Sequence, residues 1–193
     1  MNIGANSVTD YGQYFQWGDT TGYVAANVGA SGTTNAKPFV SADYKFSGGR
    51  TNPGNTGQTK YNSSDGKTVL DKCDDAARAN WGGAWRMPTT DEFQALGNAV
   101  YTAWTGSYNS SGVAGMICTD RTDSSKVLFF PAVGYCASGS VSYVGELCRY
   151  WSSSLYTSYV QLAYHVLLDR KSGANWGLNY MRCYGCSVRP VIG

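Results

Sequence analysis

Two stretches of the chain carry a helical period, and the remaining apolar pattern is strand-like. In TVLDKCDDAARAN, residues 68–80, Val69, Cys73, Ala76 and Ala77 fall on one face at helical spacing. Gly82-Gly83 follows as a stop signal. In MPTTDEFQALGNAVY, Thr89 or Thr90 can cap, and Asp91 and Glu92 suit the positive end of a helix start. Phe93, Leu96 and Val100 form the inward stripe, so the pattern predicts a second helix over 89–101.

After Trp104 the texture changes. VAGMICTD, KVLFFPAVGY and VSYVGELCRYWSSS are short apolar runs separated by Gly, Ser and Asp, which is the signature of strands. AYHVLLD, residues 163–169, alternates. Tyr164, Val166 and Leu168 share one face, and His165, Leu167 and Asp169 the other. Helices early and strands late predict an α+β fold. No repeat of fixed period is present.

Residues 11–70 are rich in Gly, Thr, Asn, Ser and Lys, and 29–67 hold few aliphatics. This part is read as long surface loops laid over the core, anchored by Tyr14, Phe15 and Trp17. The 193 residues suit one domain. A net charge of +2, with basic residues scattered, gives no electrostatic footprint for nucleic acid. No apolar run reaches membrane-spanning length, and the opening MNIGANSVTDYG has no signal-peptide pattern. The chain opens abruptly, as if a strand were ending, which suggests a C-terminal domain of a longer protein.

Cys183 and Cys186 form a C-x-x-C, but a structural zinc needs a second close pair, and the other four cysteines are isolated. A redox pair wants a helix N-terminus, whereas this one lies in a Gly- and Tyr-rich stretch. His165 is the only histidine, and no serine lies in G-x-S-x-G. A lone strand histidine is more often a surface or satisfied residue than a base. Asp74-Asp75 and Asp91-Glu92 are explained by solvation or the helix dipole. The G-x-G-x-x-G, P-loop and H-E-x-x-H motifs are all missing. No catalytic set, metal site or cofactor is expected. Residues 156–186 instead combine Tyr with Ser, Asn and Gly, the composition of adaptable binding surfaces.

DAARANWGGAWRMPTTDEFQAL, LFFPAVGY, RYWSSS and GCSVRPV occur in this order. They resemble the C-type-lectin-like domain shared by formylglycine-generating enzymes, the Fibrobacter succinogenes major paralogous domains of Bacteroidetes, and the variable proteins of diversity-generating retroelements. The resemblance implies two helices packed on small twisted antiparallel sheets, with long irregular loops. It also implies a closing strand around Arg189, paired near the N-terminus. The E-P-N, Q-P-D and W-N-D triplets of calcium-dependent lectins are missing. The cysteine spacing does not match the copper-binding pair of the oxidase branch.

The retroelement branch implies a receptor-binding display protein, on a phage tail or a bacterial surface. Its partner would be a protein or surface glycan on a target cell, with no membrane insertion. A non-variable Bacteroidetes surface module with a fixed ligand is the alternative, and a formylglycine-generating-type oxidase a distant third. In that branch, adenine-directed variation at AAY codons never yields Gln, Lys, Glu, Trp or Met. Gln161, Lys171, Trp176 and Met181 are then framework. The implied variable surface is Tyr156, Tyr159, Leu162, His165, Leu167, Asp169, Arg170, Ser172, Gly177, Leu178, Asn179, Tyr180, Cys183 and Cys186. Cys186 would be a surface draw. Cys183 would be either another draw or a buried small hydrophobe.

Overall fold

The computed structural model describes residues 1–193. Two α-helices are present, α1 (Ala76–Trp81) and α2 (Thr90–Ala99). The strands are β1 (Trp85–Arg86), β2 (Val100–Thr105), β3 (Gly115–Asp120), β4 (Val127–Pro131) and β5 (Tyr135–Ala137). They continue as β6 (Ser140–Ser142), β7 (Leu147–Leu155), β8 (Leu162–Asp169), β9 (Gly173–Met181) and β10 (Val191–Ile192). The sheets are small and antiparallel, in the orders β2-β3-β4, β7-β8-β9, β5-β6 and β1-β10. The architecture is α+β, as the pattern predicts.

The second helix is where the sequence puts it, except that Val100 of the expected stripe leaves the helix and opens β2. Thr89 caps it, accepting from the Glu92 amide at 3.2 Å, while Glu92 accepts from the Thr89 amide at 2.8 Å. This reciprocal box satisfies two amides that a helix start would leave orphaned. Arg86 grips the same carboxylate through two bonds, at 2.6 and 2.7 Å, and holds it well below the usual carboxylate range, at about 2. Phe93 is buried, and α2 lies close on β9, with Gly97 seated against the Trp176 ring. A Cβ at Gly97 would come within 2.4 Å of that ring.

The first helix is shorter than expected. Lys72–Asp74 form a 3-10 turn, and only Ala76–Trp81 is α-helical. Val69 and Cys73 are exposed, and Val69 bridges to Ser154 in β-fashion. The competing interactions are ionic. Asp74 is buried and receives Lys45 at 2.7 Å, Lys60 at 2.5 Å and the Tyr61 hydroxyl at 2.7 Å. Asp75, also buried, caps α1 at the Arg78 amide and accepts from the Met87 amide at 2.9 Å. Neither carboxylate is the solvated group that the sequence suggests.

The β7-β8-β9 sheet is covered on both sides. Phe93, Val100, Met116 and Phe130 pack with Val166 and Leu168 on one side. Phe15, Trp17 and Val188 pack with Trp151 and Ala163 on the other. The anchors at Tyr14, Phe15 and Trp17 are all buried, as expected. The Trp17 indole donates to the Ser152 carbonyl and the Trp151 indole to the Phe15 carbonyl, both at 2.8 Å. The closing segment is divided. Residues 186–188 meet the N-terminal part at Phe15 and Ile3, but β10 pairs with β1 instead.

The loops of 29–67 are irregular but not peripheral. Phe39, Tyr44, Phe46 and Tyr61 are buried, and three of them surround Arg182, which is 1% exposed. Its guanidinium donates to the Tyr44 hydroxyl at 2.8 Å and to the carbonyls of Val160 at 2.6 Å, Tyr61 at 3.0 Å and Lys60 at 3.0 Å. Replacing Arg182 with Ala strands those acceptors in the core. The expected loss is about 3–5 kcal/mol in denaturant unfolding, with no rescue by Lys, whose single ammonium cannot span four acceptors.

Candidate functional site

The β8–β9 hairpin and the neighbouring β7 carry the residues that the sequence singles out. Side chains alternate along β8. Ala163, His165, Leu167 and Asp169 therefore share one face, and Leu162, Tyr164, Val166 and Leu168 the other. Cross-strand pairing transfers this to the neighbours: Arg149 lies opposite Leu167, Trp151 and Leu178 opposite His165, and Tyr180 opposite Ala163. Two bulges, at 152–154 in β7 and 176–177 in β9, bend the sheet without changing β8.

On the first of these faces the cover is incomplete, and tyrosines crowd the opening. Tyr143 stacks on Tyr135 at 5.8 Å between ring centres, Tyr135 meets Tyr180 edge-on at 5.5 Å, and Tyr180 meets Tyr184 at 5.0 Å. Arg149 sits in the corner between the perpendicular rings of Tyr135 and Tyr180, at 4.7 and 3.9 Å from their centres. Its Nε is buried with no hydrogen-bond partner, and no carboxylate lies within ion-pair distance of it.

His165 lies beneath this corner, 5.4 Å from the Tyr180 ring and 6.1 Å from that of Trp151. It is 2% exposed, and the Leu178 backbone lies near its ring, but neither nitrogen makes a hydrogen bond of ordinary geometry. Burial, reinforced by the Arg149 charge, pushes its pKa down to about 3, so the imidazole is neutral at physiological pH. A cavity of about 270 Å³ borders the same face, lined by Tyr143, Glu146, Leu147, Asp169, Arg170 and Lys171 among others.

The predicted variable set does not form one surface. Leu167, Leu178 and Tyr180 lie on the Arg149 face and are half-buried. Leu162 and Asn179 lie on the other face, where Tyr164 meets Tyr156 at 5.3 Å and Tyr156 stacks on Tyr159 at 6.2 Å. Gly177 is a close-approach position, since a Cβ there would come within 2.9 Å of the Gln94 side chain of α2. Asp169 accepts from the Lys171 and Ser172 amides and from the Ser172 hydroxyl, which closes the hairpin before Gly173 at φ +79°. Asp169 and Ser172 therefore shape the turn, and Arg170 is exposed at its tip.

Three members of the set are not surface residues. His165, Cys183 and Cys186 are buried. Cys186 is fully enclosed, its backbone paired with Phe15, and burial pushes its thiol up to about 12. Cys183 takes the buried alternative, with its thiol raised by desolvation and the Ser41 hydroxyl 3.5 Å away. All six cysteines are free. Raised thiol pKa values are the reverse of what a redox or metal-binding thiolate requires. One other group could gather ligand atoms: Asp71, Cys73 and Asp74, within 4.8 Å of one another. Its carboxylates are already neutralised by Lys45, Lys60 and Lys67 at 2.5–2.7 Å, so it works as an ion-pair cluster.

Sequence reading missed Tyr135, Tyr143, Arg149 and Tyr184, because they lie on three separate elements outside the hairpin. Only the pairing of β7 with β8 and the β5–β6 hairpin bring them together. No family model, curated protein or solved structure matches this chain.

The buried imidazole makes stability depend on pH. The unfolded chain takes up a proton at its histidine near pH 6.5 and the folded one only near 3, so the unfolded state binds more protons in between. The stabilising contribution is complete above pH 6.5 and is lost as pH falls toward 3. Between pH 7 and pH 5 the loss should be about 2 kcal/mol in urea unfolding. A His165→Phe variant should lack that part of the slope. Equal slopes in the two proteins would mean that His165 is solvated.

Proposed function

We propose that this chain is a ligand-binding display protein with a C-type-lectin-like fold, whose recognition surface is the tyrosine-rich face around Arg149. The observation that carries this reading is that corner. Four tyrosines and an unneutralised guanidinium stand half-exposed on a sheet face whose adjoining part is packed tight by Trp151 and Val188. Rigid amphipathic rings provide contact area with little loss of side-chain entropy, and a guanidinium with unused donors adds direction.

The family resemblance supports the same reading at its most specific residues. Trp85-Arg86-Met87-Pro88-Thr89 leads into the capped α2, and Trp151 and Val188 are fully buried beside the open part of the face. The inferred partner is a protein or surface glycan on a target cell, and the inferred setting a phage tail or a bacterial surface. The chain has no helix long and apolar enough to cross a membrane. On the retroelement reading, Tyr156, Tyr159, Leu162, Leu167, Arg170, Leu178, Asn179 and Tyr180 remain candidates for diversification. The buried His165, Cys183 and Cys186 and the turn-forming Asp169 and Ser172 are weaker ones.

Sequencing the flanks of the coding region tests diversification. The expected finding is a reverse transcriptase and a near-copy of residues 150–191 with adenines at the variable codons. A locus without them favours the fixed-ligand surface module.

Thermal unfolding tests the separation of surface from scaffold. Tyr143→Ala, Tyr159→Ala and Leu167→Ala should each change stability by no more than about 0.5–1 kcal/mol. Trp151→Ala should lose about 3–5 kcal/mol, and Val188→Ala should fall on the same side. If the first group is as damaging as the second, these side chains are core and the display reading fails.

A further inference from the structure

We infer that Arg149 is a carboxylate receptor, and that the partner is a protein presenting an acidic side chain flanked by apolar or aromatic residues. The inference rests on the recognition-surface reading and specifies its chemistry. Arg149 and its surroundings carry it.

A guanidinium withdrawn from water normally answers each of its donors with an acceptor. Arg86 pairs with Glu92, Arg182 with a hydroxyl and three carbonyls, and Arg189, whose Nε is also buried and unpartnered, still gives one bond to the Phe129 carbonyl. Arg149 does not. Its Nε is buried and unpartnered, and no carboxylate of the chain pairs with it. The two tyrosine rings restrain the group by cation–π contact, which orients it but leaves its in-plane N–H donors unused.

The acid on the same face of this ladder is Asp169, across from Leu147 and two pairs along from Arg149 and Leu167. Its carboxylate is committed to the hairpin turn through Lys171 and Ser172. The group beneath is neutral His165, whose two ring nitrogens are themselves unpartnered. The corner therefore holds one positive charge and spare donors without any internal anion. A planar carboxylate satisfies such a fork through two parallel bonds.

The border decides between an acidic protein and an acidic sugar. Leu167, Leu178, Tyr135 and Tyr180 surround the guanidinium, with Asn175 opposite Leu167. The two leucines offer no hydrogen-bonding groups to match the ring hydroxyls of a sugar acid. They do suit apolar or aromatic neighbours of a Glu or Asp.

The test is titration of the intact chain with N-acetylglutamate amide, with glucuronate, and with chloride at matched ionic strength. Nuclear magnetic resonance would follow the Arg149 Nε–Hε signal, identified by its loss in Arg149→Gln, together with the Leu178 and Tyr180 amides. N-acetylglutamate amide should give saturable shifts at millimolar concentration, roughly tenfold tighter than chloride and weakened in Arg149→Lys.

A second variant does not depend on removing Arg149. Leu167→Glu places a carboxylate directly across the strand pair from Arg149 and should abolish the response by occupying the fork internally. The inference is overturned by no saturable shift, by tighter binding of glucuronate, or by an undiminished response in Leu167→Glu or at the amides of Arg149→Gln. Any of these would leave the tyrosine face as a recognition surface without a carboxylate anchor. The stability series and the locus test that broader reading separately.

Discussion

The buried guanidinium of Arg182 is the constraint on which most of the structure depends. A charge withdrawn from water is tolerated only when every donor is answered. Here four acceptors come from three distant parts of the chain: the Tyr44 hydroxyl, the carbonyls of Lys60 and Tyr61, and that of Val160. Trp17 adds a ring 4.8 Å from the guanidinium, and the Tyr44 hydroxyl passes on a bond to the Trp17 carbonyl. The irregular segment is thus fixed to the end of the central sheet without strands of its own. Lys60, held at its carbonyl by Arg182, also brings its ammonium to Asp71 and Asp74, so the loop and the start of α1 are ordered together.

This arrangement also explains why the cover on one face of the sheet thins toward its Arg149 end. The loops are drawn toward Arg182 and Ala163, and α2 covers the opposite side through Phe93 and Gly97. Toward the Arg149 end, the cover is supplied only by the short β5–β6 hairpin and the segment after it. Tyrosines serve there because each buries one side of its ring and keeps its hydroxyl near water. The open patch is a consequence of where the cover is anchored, and it stands on residues that are themselves immobilised.

Elements specified by local chemistry were legible in the sequence. The Thr89–Glu92 box, the Phe93 stripe and the alternation of 163–169 all lie where the residues put them. The elements that failed were decided by distant partners. Asp74 looks like a solvated helical acid until Lys45, Lys60 and Tyr61 arrive from other segments, and their demand turns the start of the helix into a 3-10 turn. His165 was placed on the correct strand and the correct face. Alternation cannot say that this face is covered at 165 and open at 167, because both sides of the sheet carry a layer. Arg182 was invisible for a simpler reason: an arginine between Met181 and Cys183 carries no local mark of burial. The resemblance to a known domain implies that Cys186 is a surface residue, whereas its backbone is bound to Phe15 inside the core.

Four arginines are at least partly withdrawn from solvent, and their comparison sets one of them apart. Arg86 completes a helix cap through Glu92, Arg182 ties the loops, and Arg189 rests on Phe130 at 5.1 Å and donates to the Phe129 carbonyl. Each has an internal acceptor, and each acceptor belongs to an element that the arginine holds in place. Arg189 leaves its Nε unpartnered too, but Arg149, with the same aromatic support, has no acceptor for any of its donors. An arginine used only for packing could be replaced by Met or Leu without leaving a donor unanswered. Keeping the charge there, above a neutral histidine and among rings that exclude water, makes sense when the missing acceptor comes from outside the chain.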